Sequence, residues 1–448
     1  MTGPLDAFHY CQVEFAADGT AVHPEQGAGA LALADDVTDL LVISHGWNNN
    51  TAEALSLYKE LAGNMTAVRD AGHEPQLAAR TLGLVGIIWP SKKFAGADAA
   101  PPPGAASVEH SDPTLARDLL GLADAFPAAG AATLAAAAKL VPELDHSTSA
   151  RTSYADLLRS LIPHDTTSET GDSLEAFRKL DGTTLLDSLD VAALAETLAA
   201  LRSMDQPGDD SGGIQAVPTG APGDDDGGAA GFFGDVATQF ASKARALMNL
   251  TTYYTMKARA GLIGQASVAP MLEKMPSTTR LHLIGHSFGA RLVTSAANTL
   301  PDADRVRSIS LLQGAFSHYS FSGAWSPGKA GFYRAVVSPG RVSGPMVVTH
   351  TRNDNAVGIA YAMASSLANQ VASDVGGPDS LYGGLGSNGA QKTDLARNDQ
   401  DLGAVGTEYD FGDRAVYNLR ADTYISSHSD VRGPEVAHAV LRAVAATD

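Results

Sequence analysis

The sequence is almost without cysteine, and it has no long uninterrupted run of apolar residues. Cys11 is the single cysteine among 448 residues, so an intrachain disulfide cannot form. It lies in a strand-like stretch, which favours a buried small hydrophobic residue over a thiol nucleophile. No stretch of about 18 apolar residues is present, and the first residues lack a basic segment followed by an apolar one. We therefore expect a soluble, cytoplasmic protein without stable membrane insertion.

Basic residues are scarce relative to acidic ones. The chain has 31 basic and 50 acidic residues, a net charge of −19, which argues against nucleic acid and anionic membrane surfaces as partners. A single cysteine excludes a C-x-x-C pair and the 13 histidines are scattered, so we predict no metal site and no cofactor. Hydrophobic residues form 44% of the chain, enough for one large domain with an insertion or for two domains.

The most informative segment is Arg280–Thr294, R-L-H-L-I-G-H-S-F-G-A-R-L-V-T. An apolar run typical of a buried strand ends at G-H-S-F-G, and a helical pattern follows. A bare G-x-S-x-G should occur by chance about 0.3 times in a chain this rich in glycine, so the pentapeptide alone is weak evidence. Its position between a strand and a helix is typical of a nucleophile elbow and predicts that Ser287 is a nucleophile. The alternative is an ordinary glycine-rich turn.

Other apolar stretches alternate with helical patterns along the chain. The predicted strands, besides the one before Ser287, are Phe8–Phe15, Asp39–Ser44, Leu82–Trp89, Ser308–Gln313, Met346–His350 and Ala415–Leu419, with a short additional strand at Gly19–Pro24. The predicted helices around them are Thr51–Ala71, Asp235–Leu262, Phe288–Leu300, Ala356–Ser373 and Pro434–Ala445. Continuous apolar strands separated by helices predict an α/β fold, with a mostly parallel central sheet and helices on both faces.

Residues 94–231 interrupt this alternation. They contain helical segments without a convincing strand, namely Asp112–Phe126, Ala128–Leu140, Ser149–Ile162 and Thr184–Ser203. The Gly-, Pro- and Asp-rich stretch Asp205–Gly231 follows, and its composition predicts a flexible loop. We interpret residues 94–231 as a largely helical insertion between two parts of the α/β core, 1–93 and 232–448. The insertion is either a lid over the site or a peripheral decoration.

A serine nucleophile needs a base to take its proton and an acid to orient that base. In chains with this type of elbow the order is Ser, then Asp or Glu, then His, each after a strand. Asp354 follows the strand Met346–His350, and His428 lies between the last strand and the last helix. We predict that Asp354 is the acid and His428 the base. Asp354 has the alternative role of a helix N-cap, and His428 that of an exposed loop residue.

Other candidates for the acid and the base are weaker by position: Asp302, Asp304, Asp374, Asp379, Asp430, His318, His350 and His438. Asp430 is expected to be a local turn residue. The stretch Gly384–Gly389 matches G-x-G-x-x-G, but it follows a helix rather than a strand, so we do not expect a dinucleotide site there.

The oxyanion that forms during acyl transfer needs backbone N–H donors. One donor should be Phe288, the residue after the nucleophile. The other should come from the loop after the strand Asp39–Ser44, which reads H-G-W-N-N-N. Gly46 lets this loop turn its amides toward the site, so Trp47 is the expected donor and Asn48 the next candidate.

The motifs H-G-W-N-N (His45–Asn49), I-I-W-P-S (Ile87–Ser91) and L-I-G-H-S-F-G (Leu283–Gly289) together resemble those of a group of poorly characterised bacterial α/β-hydrolases. The resemblance to this serine esterase/lipase type covers roughly residues 38–91 and 235–448. It implies the α/β-hydrolase fold, a Ser287–His428–Asp354 triad, and small-molecule or lipid ester substrates.

We therefore expect a serine hydrolase that cleaves carboxylic esters through an acyl-enzyme. One alternative is a lipase or phospholipase that uses the helical insertion as an interfacial lid. The other is a binding or scaffold protein that has kept the fold and lost the chemistry.

Overall fold

The computed structural model describes residues 2–5, 8–91, 113–123, 126, 128–162, 186, 230–301, 304–354 and 383–448. The chain divides into two compact units, one of Met1–Lys93, Pro163–Lys179 and Thr252–Asp448, the other of Phe94–Ile162 and Leu180–Thr251. The second unit thus also takes in the first part of the long helix before the elbow, which the sequence analysis places wholly in the core. Among the described helices, none combines the length and apolarity needed to cross a membrane.

The first unit is built on a nine-stranded sheet. Its strands are β1 (Thr2–Leu5), β2 (Phe8–Glu14), β3 (Asp39–Ser44), β4 (Leu82–Ile88), β5 (Arg280–His286), β6 (Val306–Leu312), β7 (Met346–His350), β8 (Ala396–Asp401) and β9 (Val416–Arg420). The order is β1-β2-β4-β3-β5-β6-β7-β9-β8. Only the β1–β2 pair is antiparallel among these neighbours. The predicted α/β class with a mostly parallel sheet is confirmed.

Helices cover both faces of this sheet. Those described in the first unit include α1 (Pro24–Asp36), α2 (Thr51–Asp70), α7 (Ala269–Glu273), α8 (Phe288–Thr299), α9 (Leu385–Asn388) and α10 (Pro434–Ala445). All six residues of β3 are buried, and successive side chains of a strand point to opposite faces. On one face α2 and α10 pack together, and Leu41 and Ile43 share their core cluster. Helix α8 contacts β3, β5 and β6.

The second unit is helical in its described part. It contains α3 (Pro113–Gly121), α4 (Ala128–Leu140), α5 (Thr148–Ser160) and the first part of α6 (Ala230–Ile263). Buried Tyr154 of α5 donates a hydrogen bond to the carbonyl of Ala244 in α6 (3.1 Å), and Arg245 forms an ion pair with Asp118 of α3. The predicted helix Thr184–Ser203 lies outside the described residues apart from Leu186, and the predicted loop Asp205–Gly231 does so apart from Ala230 and Gly231, which begin α6 instead.

One sequence prediction about the amino-terminal region is wrong. Gly19–Pro24 is not a strand, since it contributes one isolated bridge, between Ala21 and Phe15, and helix α1 begins at Pro24. Helix α2 begins with a capping box: Asn50 accepts a hydrogen bond from the Glu53 amide (2.9 Å), and the Glu53 carboxylate accepts one from the Asn50 amide (2.6 Å).

The strand register aligns the carboxyl ends of the parallel strands. Ser44 pairs with Gly285, and His286 with Leu312, while His350 pairs with Arg420. The segments that follow these strands therefore leave the sheet at one edge, which we call the carboxyl edge. Every predicted catalytic residue lies in one of these segments.

Candidate active site

Ser287 occupies a strained turn at the carboxyl edge. It follows the last residue of β5 and precedes α8, and its φ of 56° is positive, a conformation that costs a non-glycine residue about 1 to 3 kcal/mol. Its amide donates to the Leu312 carbonyl (3.0 Å) and its carbonyl accepts from the Ala315 amide (3.2 Å). Ser287 directly precedes α8, but its side chain forms no hydrogen bond that caps the helix. The turn therefore holds the hydroxyl away from the helix backbone.

The two glycines of the G-H-S-F-G turn are required by packing. A Cβ on Gly285 would lie 2.5 Å from the backbone of Ala290. A Cβ on Gly289 would lie 2.7 Å from the carbonyl carbon of Ser44 and closer still to the carbonyl oxygens of Ser44 and His45. Strand β5, helix α8 and the end of β3 approach one another too closely for a side chain at either position.

Asp354 and His428 form a buried pair. The Nδ1 atom of His428 lies 2.9 Å from Oδ2 of Asp354, and the exposed fractions of the two residues are 6% and 2%. An ionised carboxylate only accepts hydrogen bonds, so Nδ1 carries the proton and Nε2 presents a lone pair. Nε2 is buried and has no hydrogen-bond partner among the described residues. The pair thus has the arrangement of a base oriented by an acid.

The segments that carry the acid and the base are tied together. Asp422, after β9, accepts hydrogen bonds from the Thr351 hydroxyl (2.8 Å) and the Arg352 amide (3.0 Å). The side-chain amide of Asn353 donates to the Ile425 carbonyl (2.9 Å). Asp430 accepts from the Ser426 amide (3.0 Å) and hydroxyl (2.7 Å), so it is the local turn residue that the sequence predicts. These contacts fix the separation of Asp354 and His428.

His286 connects this pair to Ser287. Its Nε2 atom donates to the backbone carbonyl of His428 (2.9 Å), and the two rings lie 5.0 Å apart between centroids. Burial, with a further contribution from the nearby His428 ring, lowers the pKa of His286 to about 3, so it is neutral at physiological pH. His428 therefore lies beside the residue that precedes Ser287. Ser287 Oγ and His428 Nε2 are not hydrogen-bonded to each other here, and such contacts commonly tighten only when substrate binds.

The loop after β3 passes next to Ser287. A Cβ on Gly46 would lie 2.6 Å from the Cβ of Ser287, so glycine is what allows this approach. The side chain of His45 bridges to the end of β4: Nε2 accepts from the Trp89 amide (3.2 Å) and Nδ1 donates to the Gly46 carbonyl (2.8 Å). Burial lowers the pKa of His45 to about 4, which keeps the ring neutral and able to accept at Nε2.

Ser91 gives the loop a second attachment. The Asn48 amide donates to the Ser91 carbonyl (2.9 Å), and the Ser91 hydroxyl donates to the Asn49 carbonyl (3.0 Å). The motifs H-G-W-N-N and I-I-W-P-S are thus two halves of one hydrogen-bonded structure. The Asn48 amide, the second candidate for the loop's oxyanion donor, is thus engaged by Ser91.

Phe288 is the first residue of α8, and an amide at this position has no acceptor within its own helix. Its side chain packs with Trp47 (5.9 Å between ring centroids) and with Tyr253 of α6 (5.1 Å). Trp47 and Tyr253 are in edge contact (5.8 Å). The two predicted oxyanion donors therefore belong to residues whose aromatic rings contact each other directly.

A second Ser–His–Asp chain lies at the amino ends of the strands. His282 contacts Asp39 through Nε2 (3.1 Å) and Ser308 through Nδ1 (2.8 Å). All three side chains are buried, and Asp39 also pairs with Arg80 and Arg280. His282 and His286 are four residues apart, which on a strand separates them by about 13 Å. This chain is a buried ion-pair network rather than an accessible site.

Three of the weaker sequence candidates contact other residues in the described part of the chain. Asp304 forms an ion pair with Arg414, His438 pairs with Glu74, and His318 contacts Asn388. Asp302, Asp374, Asp379 and the helix Ala356–Ser373 lie outside the described residues. Within the described part of the chain, no group of three or more His, Cys, Asp or Glu residues is arranged to hold a metal ion.

Four residues that the sequence analysis gave no role contribute to the site: His45, His286, Gln313 and Asp422. Each is a polar residue at or just after the carboxyl end of a strand, which is the signal by which they could have been found. A comparison of the chain with protein-family models, with curated proteins and with solved structures gives no match.

Proposed function

We propose that this chain is an α/β-hydrolase-fold serine hydrolase that cleaves carboxylic esters through an acyl-enzyme. The observation that carries the proposal is the placement of Ser287, strained at a strand–helix turn, on the same sheet edge as the His428–Asp354 pair. A serine hydroxyl becomes an effective nucleophile only beside such a base. An orienting carboxylate that forces the Nδ1-protonated tautomer is what that base needs.

In the proposed reaction Ser287 Oγ attacks the ester carbonyl carbon while His428 Nε2 takes the hydroxyl proton. The amides of Phe288 and Trp47 stabilise the oxyanion that develops. His428 then gives its proton to the departing alkoxide oxygen, which leaves as the alcohol. Water, deprotonated by the same nitrogen, attacks the acyl carbonyl carbon, and His428 returns the proton to Ser287 Oγ as the bond to the acid breaks. Asp354 stabilises the imidazolium formed at each proton transfer.

Labelling with a fluorophosphonate probe tests the nucleophile. Wild-type protein should be labelled at Ser287, and Ser287→Ala should abolish the labelling. Ser308→Ala is the matched control, because it removes the serine of the buried second chain and should leave labelling intact. Absence of labelling in folded wild-type protein would favour the alternative of a binding or scaffold protein.

A lipase or phospholipase is the second candidate, since the chain carries a helical unit that could act as a lid. Hydrolysis of p-nitrophenyl esters from acetate to palmitate, measured beside phospholipid vesicles, separates the two. Preference for short soluble esters supports an esterase, whereas a marked preference for long chains or vesicles supports the lipid ester hydrolase.

A further inference from the structure

Gln313 is a buried, strained residue directly after β6. Its exposed fraction is 0% and its φ of 48° lies in the left-handed region, which is costly for a residue with a side chain. Its backbone amide donates to the Thr349 hydroxyl (3.2 Å) on neighbouring β7. The strained backbone turns the side chain of Gln313 toward the segment that carries Asp354.

Both polar atoms of the Gln313 side-chain amide form hydrogen bonds. Nε2 donates to Oδ2 of Asp354 (3.1 Å) and to the carbonyl of Gly386 (3.1 Å). Oε1 accepts from the Thr349 hydroxyl (2.9 Å). The carboxylate and the carbonyl are both acceptors, so the nitrogen must face them, and the orientation of the amide follows from chemistry. Gly386 permits this arrangement, because a Cβ there would lie 2.9 Å from the same Oδ2.

We propose that Gln313 is a positioning residue for the acid of the proposed hydrolase, an inference that rests on the proposed function. Oδ2 of Asp354 receives both the Gln313 amide and His428 Nδ1. The donor therefore stabilises the carboxylate in its ionised form and fixes the oxygen that orients His428. Thr349 in turn fixes the amide. The donor is neutral, so it adds no further charge beside His428.

The competing explanation is purely structural, because the same hydrogen bonds also link β6, β7 and the segment around Gly386. Gln313→Met removes the donor with little change in size. Thr349→Val removes the hydroxyl that orients the Gln313 side chain, whereas Thr349→Ser keeps a hydroxyl at the same position. Tyr333→Phe is the control for stability, because Tyr333 is also buried in the first unit and shares a hydroxyl–hydroxyl hydrogen bond with Ser295 (2.7 Å).

Gln313→Met should lower kcat on the order of 10- to 100-fold, the effect of losing one hydrogen bond to a charged group, with KM little changed. Thr349→Val should lower kcat by less, because it removes the hydroxyl that orients the donor and leaves the donor in place. Thr349→Ser should restore most of kcat. Tyr333→Phe should lower the melting temperature without lowering kcat. Equal kcat losses in Thr349→Ser and Thr349→Val, or a kcat for Gln313→Met within twofold of the control, would overturn the proposal.

The pH profile supplies a readout that a structural role would not move. Without its donor the Asp354–His428 pair holds a proton more tightly, so the acid limb of kcat/KM should shift to higher pH in Gln313→Met. The other titratable or charged groups around the pair, among the described residues, include His286, Arg352, Asp422, Asp430 and Arg432, and all are retained in these variants.

The same shift can be measured without turnover. NMR titration of protein with isotopically labelled histidine gives the pKa of His428, whose resonance is assigned by its loss in His428→Ala. This pKa should be higher in Gln313→Met than in the wild type. An unchanged pKa in folded Gln313→Met would overturn the positioning role. Wild-type protein that neither reacts with fluorophosphonate nor cleaves esters would instead refute the proposed function, while the histidine titration would still report on Gln313.

Discussion

Replacing Gly289 with alanine tests whether the turn around Ser287 depends on close backbone packing. Gly289 is the second residue of α8. In a helix, Gly→Ala ordinarily stabilises by about 0.5 to 1 kcal/mol, because glycine loses more conformational freedom on folding. At Gly289 the added Cβ would lie 2.7 Å from the carbonyl carbon of Ser44 and overlap the carbonyl oxygens of Ser44 and His45. Contacts under 3.0 Å essentially never occur for a Cβ.

Relief of this overlap requires α8 and the end of β3 to separate. Inserting one carbon into a packed interior typically costs about 1 to 3 kcal/mol, which exceeds the helix-propensity gain. Gly27, inside α1, is the matched control, because a Cβ there meets nothing within 4 Å. After the propensity gain is subtracted, we expect Gly289→Ala to lower the free energy of unfolding by about 0.5 to 2 kcal/mol and Gly27→Ala to raise it by up to about 1 kcal/mol.

Urea denaturation of the two variants, followed by circular dichroism, gives both free energies. Fluorophosphonate labelling of folded Gly289→Ala should also be slowed, since the displaced segment includes His45 and the predicted donor loop. A Gly289→Ala protein as stable as Gly27→Ala and labelled at the wild-type rate would show that the turn tolerates a side chain, and the packing explanation of the two glycines would be wrong.

Two further predictions concern the site as a unit and its response to acid. Ser287→Ala and His428→Ala should each lower kcat by about 10⁴-fold or more, and the double variant should be little worse than either single one; strictly additive losses would contradict the triad. The pKa values of His45 and His286, about 4 and about 3, lie below their unfolded value, so the unfolded chain binds more protons as pH falls. Stability should thus be full above about pH 6.5 and fall by about 4 kcal/mol between pH 7 and pH 5. Urea denaturation at both pH values measures this, and equal stability would refute it.

The strands could be predicted because burial on both faces leaves a direct trace in the sequence. Asp39–Ser44 and Met346–His350 have the predicted bounds, and both read as short apolar runs. Strand β8, A-R-N-D-Q-D, was missed because it is a polar edge strand that pairs only with β9. Helix α1 was missed because two glycines and several alanines weaken its apolar periodicity.

The positions of Asp354 and His428 could be predicted from order and strand ends, because parallel strands bring their carboxyl ends to one edge. The roles of Gln313, His286 and Asp422 could not. Each depends on a pairing between residues that are 41, 142 and 71 positions apart, and nothing local to any of them specifies the partner. Thr349 illustrates the point, since it reads as an ordinary β-branched strand residue until β6 and β7 are seen side by side.

Asp354 and Asp39 each contact a histidine, and the same substitution at the two positions should have opposite effects on stability and turnover. Burial raises the pKa of Asp39, but hydrogen bonds from His282, Arg280 and Thr38 outweigh it, so the pKa lies well below its usual range. Asp39→Asn removes the negative partner of two arginines and should cost about 3 kcal/mol of stability with little change in kcat.

Asp354→Asn should do the reverse. An asparagine can still contact His428 Nδ1, but its amide favours the wrong imidazole tautomer, which lowers kcat by up to about 10⁴-fold while the fold is kept. Were Asp354 only a helix cap, asparagine would replace it well and turnover would stay near normal. Melting temperature and p-nitrophenyl ester turnover of the two variants decide the matter. A stable, active Asp354→Asn beside an inactive Asp39→Asn would transfer the chemistry to the other end of the sheet.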